Sequence, residues 1–242
     1  MELHPLRPSC LLDLPMTIRS LRGLVLAAAL GSATPVQADD AVRRTPGIDV
    51  SHHQGTINWT AVRRDGIRFA FIKATEGGDW TDPAFARNWR RAREAGVMRG
   101  AYHYYRPQTH SAVQARHFLR RVRMTSSDLP PVLDVEATDG ASSATLRRGV
   151  RNWLRIVEAE TGKRPIIYVS RRFAPHLAAQ FGDYPLWIAD YRGSGPAVPR
   201  GWRRWTFWQH SERGRVDGIR PRVDRNWFRG TLAELRRFAE RS

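Results

Sequence analysis

Two carboxylates stand two residues apart in Pro130-Pro131-Val132-Leu133-Asp134-Val135-Glu136, a segment otherwise made of apolar and β-branched residues. Side chains alternate between the faces of a strand, so Val132, Asp134 and Glu136 project to one side and Leu133 and Val135 to the other. An unpaired charge on a strand buried against helices is costly, so acids placed there call for a reason. Paired carboxylates in a cleft suit the hydrolysis of a glycosidic bond. One is protonated and releases the leaving oxygen; the other is ionised and stabilises or attacks the anomeric carbon. The spacing alone suits equally well two acids that meet solvent at a strand end.

The surrounding pattern decides how such a pair is presented. Gly47 to Ser51, Phe69 to Ala74, Gly100 to Tyr105, Val132 to Glu136 and Pro165 to Val169 read as strands. They alternate with helical segments at Trp59 to Arg64, Pro83 to Ala95, Ser111 to Met124, Thr145 to Glu160 and Phe173 to Gln180. Such alternation implies a parallel sheet. Leu186 to Asp190, Trp205 to Gln209 and Arg222 to Asp224 then read as strands joined by turns or loops, and Leu232 to Ala239 as a closing amphipathic helix. Eight strands with helices after the first five predict an α/β barrel; a doubly wound open sheet would want helices between the late strands as well.

Chemistry in such barrels gathers at the carboxyl ends of the strands. Asp49, Glu76, Asp134, Glu136, Asp190 and Asp224 all fall at or just past those ends. The aromatics Tyr102, Tyr104, Tyr105, Tyr168, Trp187, Tyr191, Trp205 and Trp208 lie nearby. Sugar rings stack their C–H faces on such side chains, so acids with rim aromatics suggest a carbohydrate groove; about half of these rings are expected in the core instead.

The chain has 242 residues, 41% hydrophobic and 26% charged, which suits one globular domain with a core of its own. Residues 1–38 read as an export leader: a basic start at Met16 to Arg22, an apolar run from Gly23 to Leu30, and small residues up to Ala38. Glu2, Asp13 and three prolines ahead of Met16 fit no signal start, so translation is expected to begin at Met16. The apolar run is too short for a spanning helix. Residues 39–46 are expected as a linker and 47–242 as a single catalytic barrel, exported to a periplasm or the exterior after cleavage near Ala38. Cys10, the only cysteine, lies in the leader, so the exported part is expected to have neither thiol chemistry nor disulfides. Net charge is +17, which favours polyanionic partners. The arginines are scattered along helical segments, with no basic tail or nucleic-acid motif, so an anionic envelope is a better target than nucleic acid. Composition that merely aids solubility stays open.

In order along the chain come Asp49-Val50-Ser51 with Gln54-Gly55, Ile72 to Gly77, Gly100 to His103, Val132 to Glu136, Leu186 to Tyr191, Phe207 to Gln209, and Val223 to Asn226. This series resembles glycoside hydrolase family 25, the lysozymes that cut the β-1,4 bond from N-acetylmuramic acid to N-acetylglucosamine in peptidoglycan. The resemblance covers about residues 46–240. It implies a flattened TIM-like barrel, (β/α)5(β)3. It also implies Glu136 as general acid/base with Asp134 beside it, Asp49 and Asp224 completing the acidic site, and Glu76, Tyr102, Tyr104, Tyr168, Trp187, Asp190, Tyr191 and Gln209 lining the glycan groove. The sequence departs from the family at Arg220-Pro221-Arg222, where a glycine is usual, and at Arg225, commonly apolar.

For Glu136 to act as an acid it must hold a proton near neutral pH. The charges of Asp134, Asp49 and Asp224 would raise its pKa while those acids stay ionised. Opposite the leaving group, either a carboxylate or the substrate's own 2-acetamido oxygen attacks. The second is favoured, because Asp134 and Glu136 lie on one side of the sugar. Both routes retain configuration. His52-His53 lacks partners at metal-ligand spacing, no phosphate loop or nucleophile elbow is present, and no cofactor or metal is expected. A monomer without a nucleic-acid partner or membrane-embedded segment is expected. The competing readings are a glycan-binding protein that has lost turnover and an envelope-bound nucleic-acid binder.

Overall fold

The structure is a computed structural model in which residues 43–241 are described. The expected leader, its cleavage site and Cys10 lie outside them. In chain order the strands are β1 (Arg44–Val50), β2 (Phe69–Glu76), β3 (Trp80–Thr81), β4 (Met98–Tyr104), β5 (Val132–Asp134), β6 (Ile166–Ser170), β7 (Leu186–Ala189), β8 (Phe207–Val216) and β9 (Ile219–Arg229). The helices are α1 (Trp59–Arg64), α2 (Phe85–Glu94), α3 (Ser111–Arg121), α4 (Ser143–Thr161) and α5 (Leu232–Arg241). Strand order around the sheet is β1-β9-β8-β7-β6-β5-β4-β2, and β1 also pairs in parallel with β2, so among the described residues eight strands close into a barrel. β3 is a two-residue strand pinned antiparallel to the end of β2. β9 runs antiparallel to both its neighbours.

Alternation along each strand divides the apolar residues into two cores. Outward residues such as Ile48, Ile72, Leu133, Ile167 and Ile188 pack against the helices. Inward residues, Phe69, Phe71, Val132, Ile166, Trp187, Phe207 and Phe228 among them, fill the barrel, and Leu235 and Ala239 of α5 join them at its amino end. Gly47 and Gly100 make room for those rings: a Cβ on Gly47 would lie 2.3 Å from the Phe69 ring. α4 shows why the wall forms where it does. The Ser142 side chain accepts from Thr145 N–H, Leu146, Val150, Trp153, Leu154 and Val157 form its buried stripe, and left-handed Gly162 ends it.

The barrel of the expected class is present, with three local departures. β1 begins at Arg44, inside the stretch expected as linker, because residues 44–46 pair with β9 and the buried Thr45 hydroxyl donates to Gly230 O at 2.8 Å. The fifth helix, expected over Phe173 to Gln180, is a single 3-10 turn at Ala174–Leu177. Pro175 offers no N–H, and Ala178 and Ala179 take left-handed backbone with φ of 43° and 46°. β8 and β9 also run much further than Trp205 to Gln209 and Arg222 to Asp224. They form a hairpin turning at Asp217-Gly218, whose Gly214, Val216, Ile219 and Val223 are buried.

Candidate active site

The inward side chains at the carboxyl end of the barrel are polar where those below are aromatic. Asp49 lies one residue before the end of β1, directly opposite Asp224 in β9. Asp134 ends β5 and is 5% exposed. Glu136 lies two residues beyond that strand and is open to solvent. Gln209, 2% exposed on β8, ties these acids to the aromatics. Its Nε2 donates to Asp49 Oδ2 at 2.9 Å and Asp224 Oδ2 at 3.3 Å, while its Oε1 accepts from the Tyr168 and Tyr191 hydroxyls at 2.9 and 2.7 Å. All four hydrogen-bonding capacities of the carboxamide that geometry brings into reach are thereby used, which fixes its orientation.

Asn226 is a second anchor. Its Nδ2 donates to Asp49 Oδ2 at 2.7 Å and its Oδ1 accepts from the Trp187 indole at 2.8 Å. Trp187 is therefore part of the barrel's packing. It is 2% exposed, stacked on Phe71 with centroids 4.4 Å apart, and has no free face for a sugar, contrary to the sequence reading.

Burial pushes the carboxyl of Asp49 up to about 6, against the pull of the Asn226 and Gln209 amides. Burial, then the charge of Asp49, pushes Asp224 to about 8. Burial and the charge of Glu136 hold Asp134 well above the carboxylate range. Glu136 is itself raised by desolvation and by Asp224. Glu136 follows Asp134 by two residues, so the charge of each acts on the other, and the buried Asp134 Oδ1 has no hydrogen-bond partner among the described residues. Burial thus raises all four carboxyls, which lie in two adjoining pairs, Asp134 with Glu136 and Asp49 with Asp224, and disfavours the doubly charged form of each pair.

Tyr102 and Tyr104 on β4 face the same space. Their phenols are raised by burial and then by the acids, Tyr102 chiefly by Asp49 and Asp134, and Tyr104 to about 12 with Asp134 and Glu136. Tyr191 is 47% exposed and presents a ring at the mouth, while Tyr168 is 7% exposed and belongs to the floor. Glu76 sits on the rim, bound to Lys73 Nζ at 2.7 Å and to Arg106 Nη2 at 2.5 Å, and these cations hold its carboxyl below the usual range despite its desolvation. Lys73, which the sequence reading did not single out, supplies positive charge to Asp134 and Glu136.

Asp190 departs from the expectation. Trp187 and Ala189 belong to the inner core and Ile188 to the outer one, so the next residue, Asp190, faces outward. Its carboxylate accepts from Ala197 N–H at 3.1 Å and Arg192 Nε at 3.4 Å and secures the loop after β7. His52 has the acidic partner that sequence spacing hid: its Nδ1 lies 2.8 Å from Asp82 Oδ2, which also accepts His52 N–H at 2.9 Å. The departures at 220–222 and Arg225 leave Asp224 facing Asp49, because Gly214 pairs with Val223 and shifts in register absorb the irregularity.

Comparison with known proteins agrees with this geometry. Residues 48–219 match the family described as Glycosyl hydrolases family 25. The Escherichia coli (strain K12) protein YegX, itself uncharacterised, is 49% identical over 200 residues, which span 80% of this chain and 73% of YegX. Lysozyme M1 of Streptomyces globisporus is 39% identical over 203 residues, 78% of this chain and 69% of that protein. The crystal structure of a bacterial lysozyme from Streptomyces coelicolor superposes with a TM-score of 0.78 at 36% identity, covering 82% of this chain and 98% of that one. With the fold, the order of the motifs and the acidic site in agreement, the chain belongs to glycosyl hydrolase family 25, and it is a glycoside hydrolase.

Proposed function

We propose that the protein is a muramidase: it cleaves the β-1,4 bond between N-acetylmuramic acid and N-acetylglucosamine in peptidoglycan, with net retention. The observation that carries this reading is the convergence of four carboxyls at the mouth of the barrel, Asp49 opposite Asp224 and Glu136 two residues beyond Asp134. Relatives named lysozyme and N,O-diacetylmuramidase support the substrate.

Glu136 is the member of its pair that solvent and substrate reach, so it is the proton donor to the leaving oxygen. Asp134, whose carboxyl burial and the charge of Glu136 hold above the usual range, keeps a proton beside it. When Glu136 gives its own proton up, it becomes charged in a partly buried setting, which favours recovery of a proton from the water that completes hydrolysis. The other pair, oriented by Gln209 and Asn226, stabilises the positive charge that develops at the anomeric carbon and orients the 2-acetamido group whose oxygen attacks. The protein acts after export.

Glu136→Gln tests the assignment. Release of muropeptides from purified peptidoglycan should fall roughly 10² to 10⁴-fold, with glycan binding retained. Near-normal release would remove Glu136 from the reaction. Normal binding by a wild-type protein that releases nothing would favour the glycan-binding reading. A glycosyl adduct trapped on an aspartate and seen by mass spectrometry would replace the acetamido route with a covalent one.

A further inference from the structure

A second site lies on the same rim, between α3 and α4. There a groove of about 660 Å³ is lined by hydroxyls, amides, His110 and arginines, and by no acidic residue. We propose that this groove binds a carboxylate of the peptide stems that peptidoglycan carries, holding the substrate by its peptide while the acids act on its glycan. The inference rests on the peptidoglycan reading above.

The floor is Tyr105. It is 2% exposed, yet its hydroxyl has no hydrogen-bond partner among the described residues. Burial raises the phenol to about 12, so it remains a donor at any ordinary pH. The hydroxyl opens to the groove, where it is free to donate to an acceptor from outside the chain. Over it passes Gly149, in the interior of α4, where glycine is about 1 kcal/mol less favourable than alanine. A Cβ at that position would lie 2.0 Å from the Tyr105 hydroxyl oxygen, so any larger residue would fill the cradle.

Donors surround the cradle. Ser111 Oγ accepts from Asn152 Nδ2 at 2.8 Å, which leaves the serine hydrogen for another acceptor. Arg148 and Arg155, seven residues apart on one face of α4, are exposed and form no ion pair among the described residues. Two turns of helix separate them by ~10 Å, enough for an extended peptide carboxylate to be held from either side. A site built of donors and cations selects an anion over a neutral sugar. Its place fits the substrate as well. Tyr105 follows directly after β4, and its N–H donates to Asp134 O at 2.9 Å, so the groove opens beside the strand that carries the acid pair.

The test compares the full chain with the double variant Arg148→Ala, Arg155→Ala, whose exposed sites carry no fold-determining contact, and with Tyr105→Phe. Two substrates are used: peptidoglycan with its stems, and glycan strands stripped of peptide by an amidase. KM on the stemmed substrate should rise roughly tenfold or more in the double variant, with kcat unchanged and the stripped strands cleaved as by the wild type. Tyr105→Phe should act in the same direction. Equal loss on both substrates, or no change on either, overturns the proposal. Inhibition of the wild type by inorganic phosphate at concentrations where free stem peptide neither binds nor inhibits also overturns it, in favour of a phosphate ligand. If the wild type cleaves neither substrate, the muramidase reading fails. Titration with free stem peptide then decides this one: binding lost in the double variant supports it, and no binding to the wild type ends it.

Discussion

Asp49→Asn should stabilise the protein at neutral pH. In the folded chain the Asp49 carboxyl titrates at about 6 instead of its ordinary 3.8, burial being the main cause. At about 1.36 kcal/mol per tenfold change in proton affinity, that displacement corresponds to ~3 kcal/mol of unfavourable charge burial. Asparagine matches the shape and the partners. Its amide oxygen accepts from Gln209 and Asn226 as Asp49 Oδ2 does, and its NH2 faces Asp224 directly opposite in β9. Part of the gain is shared with Asp224, so ~1–3 kcal/mol is expected, or ~2–12 °C in Tm for a domain of this size. The sign follows from the direction of the shift. A carboxyl whose folded pKa is raised costs nothing below 3.8, costs progressively more as pH climbs towards about 6, and carries its full penalty above that. The variant's advantage should be complete at pH 8 and absent below pH ~4. Urea unfolding followed by tryptophan fluorescence at the two pH values measures it. A variant less stable than the wild type at pH 8, or one whose advantage persists at low pH, would refute the reasoning. Its lytic activity should fall, since the charge that strains the fold is the one proposed to serve the reaction.

Away from the site, Asp128→Ala should cost ~3–5 kcal/mol in equilibrium unfolding. It strands the buried Arg99 guanidinium, whose Nε and Nη2 donate to Asp128 at 2.7 and 3.2 Å. Gly47→Ala should cost ~1–3 kcal/mol, because its Cβ would lie 2.3 Å from the Phe69 ring inside the barrel; an unchanged unfolding midpoint would show that the ring can move aside. Tyr191→Phe removes one of the two hydroxyls that hold Gln209 Oε1. Stability should change by no more than ~1 kcal/mol and muropeptide release should fall less than tenfold, and a loss as deep as that of Glu136→Gln would make Tyr191 a participant in the chemistry.

The barrel and its acid-tipped strands were legible because the βα alternation is strong and strand ends carry the acids. The partners of those acids were harder to read. Asn226 and Lys73 could have been found by stepping two residues at a time along β9 and β2, the same parity that turns Asp190 away from the site. Trp187 misled because an aromatic near a strand end reads alike whether it faces sugar or packs in a barrel; only the ring of Phe71 beneath it distinguishes the two. The ion pairing of Glu76 with Arg106 spans 30 residues and has no local signature. The length of the β8–β9 hairpin was signalled by Asp217-Gly218 between alternating apolar residues, but the arginines crowding its outer face masked the period.

The seam of the barrel, where β9 is inserted between β1 and β8, has a consequence for when the enzyme comes into being. Asp49 and the Asn226 that orients it are 177 residues apart in the chain. A contact of that span forms only after the intervening strands have gathered, since closing so long a loop early is entropically unfavourable. A growing chain has Asp134 and Glu136 side by side and Asp49 already made, but not yet the Asp224 that completes the opposing pair. The seam thus works as a completion check: loss of β9, by proteolysis or by a premature stop, removes Asp224 and Asn226 together and leaves Asp49 without the partners that orient it.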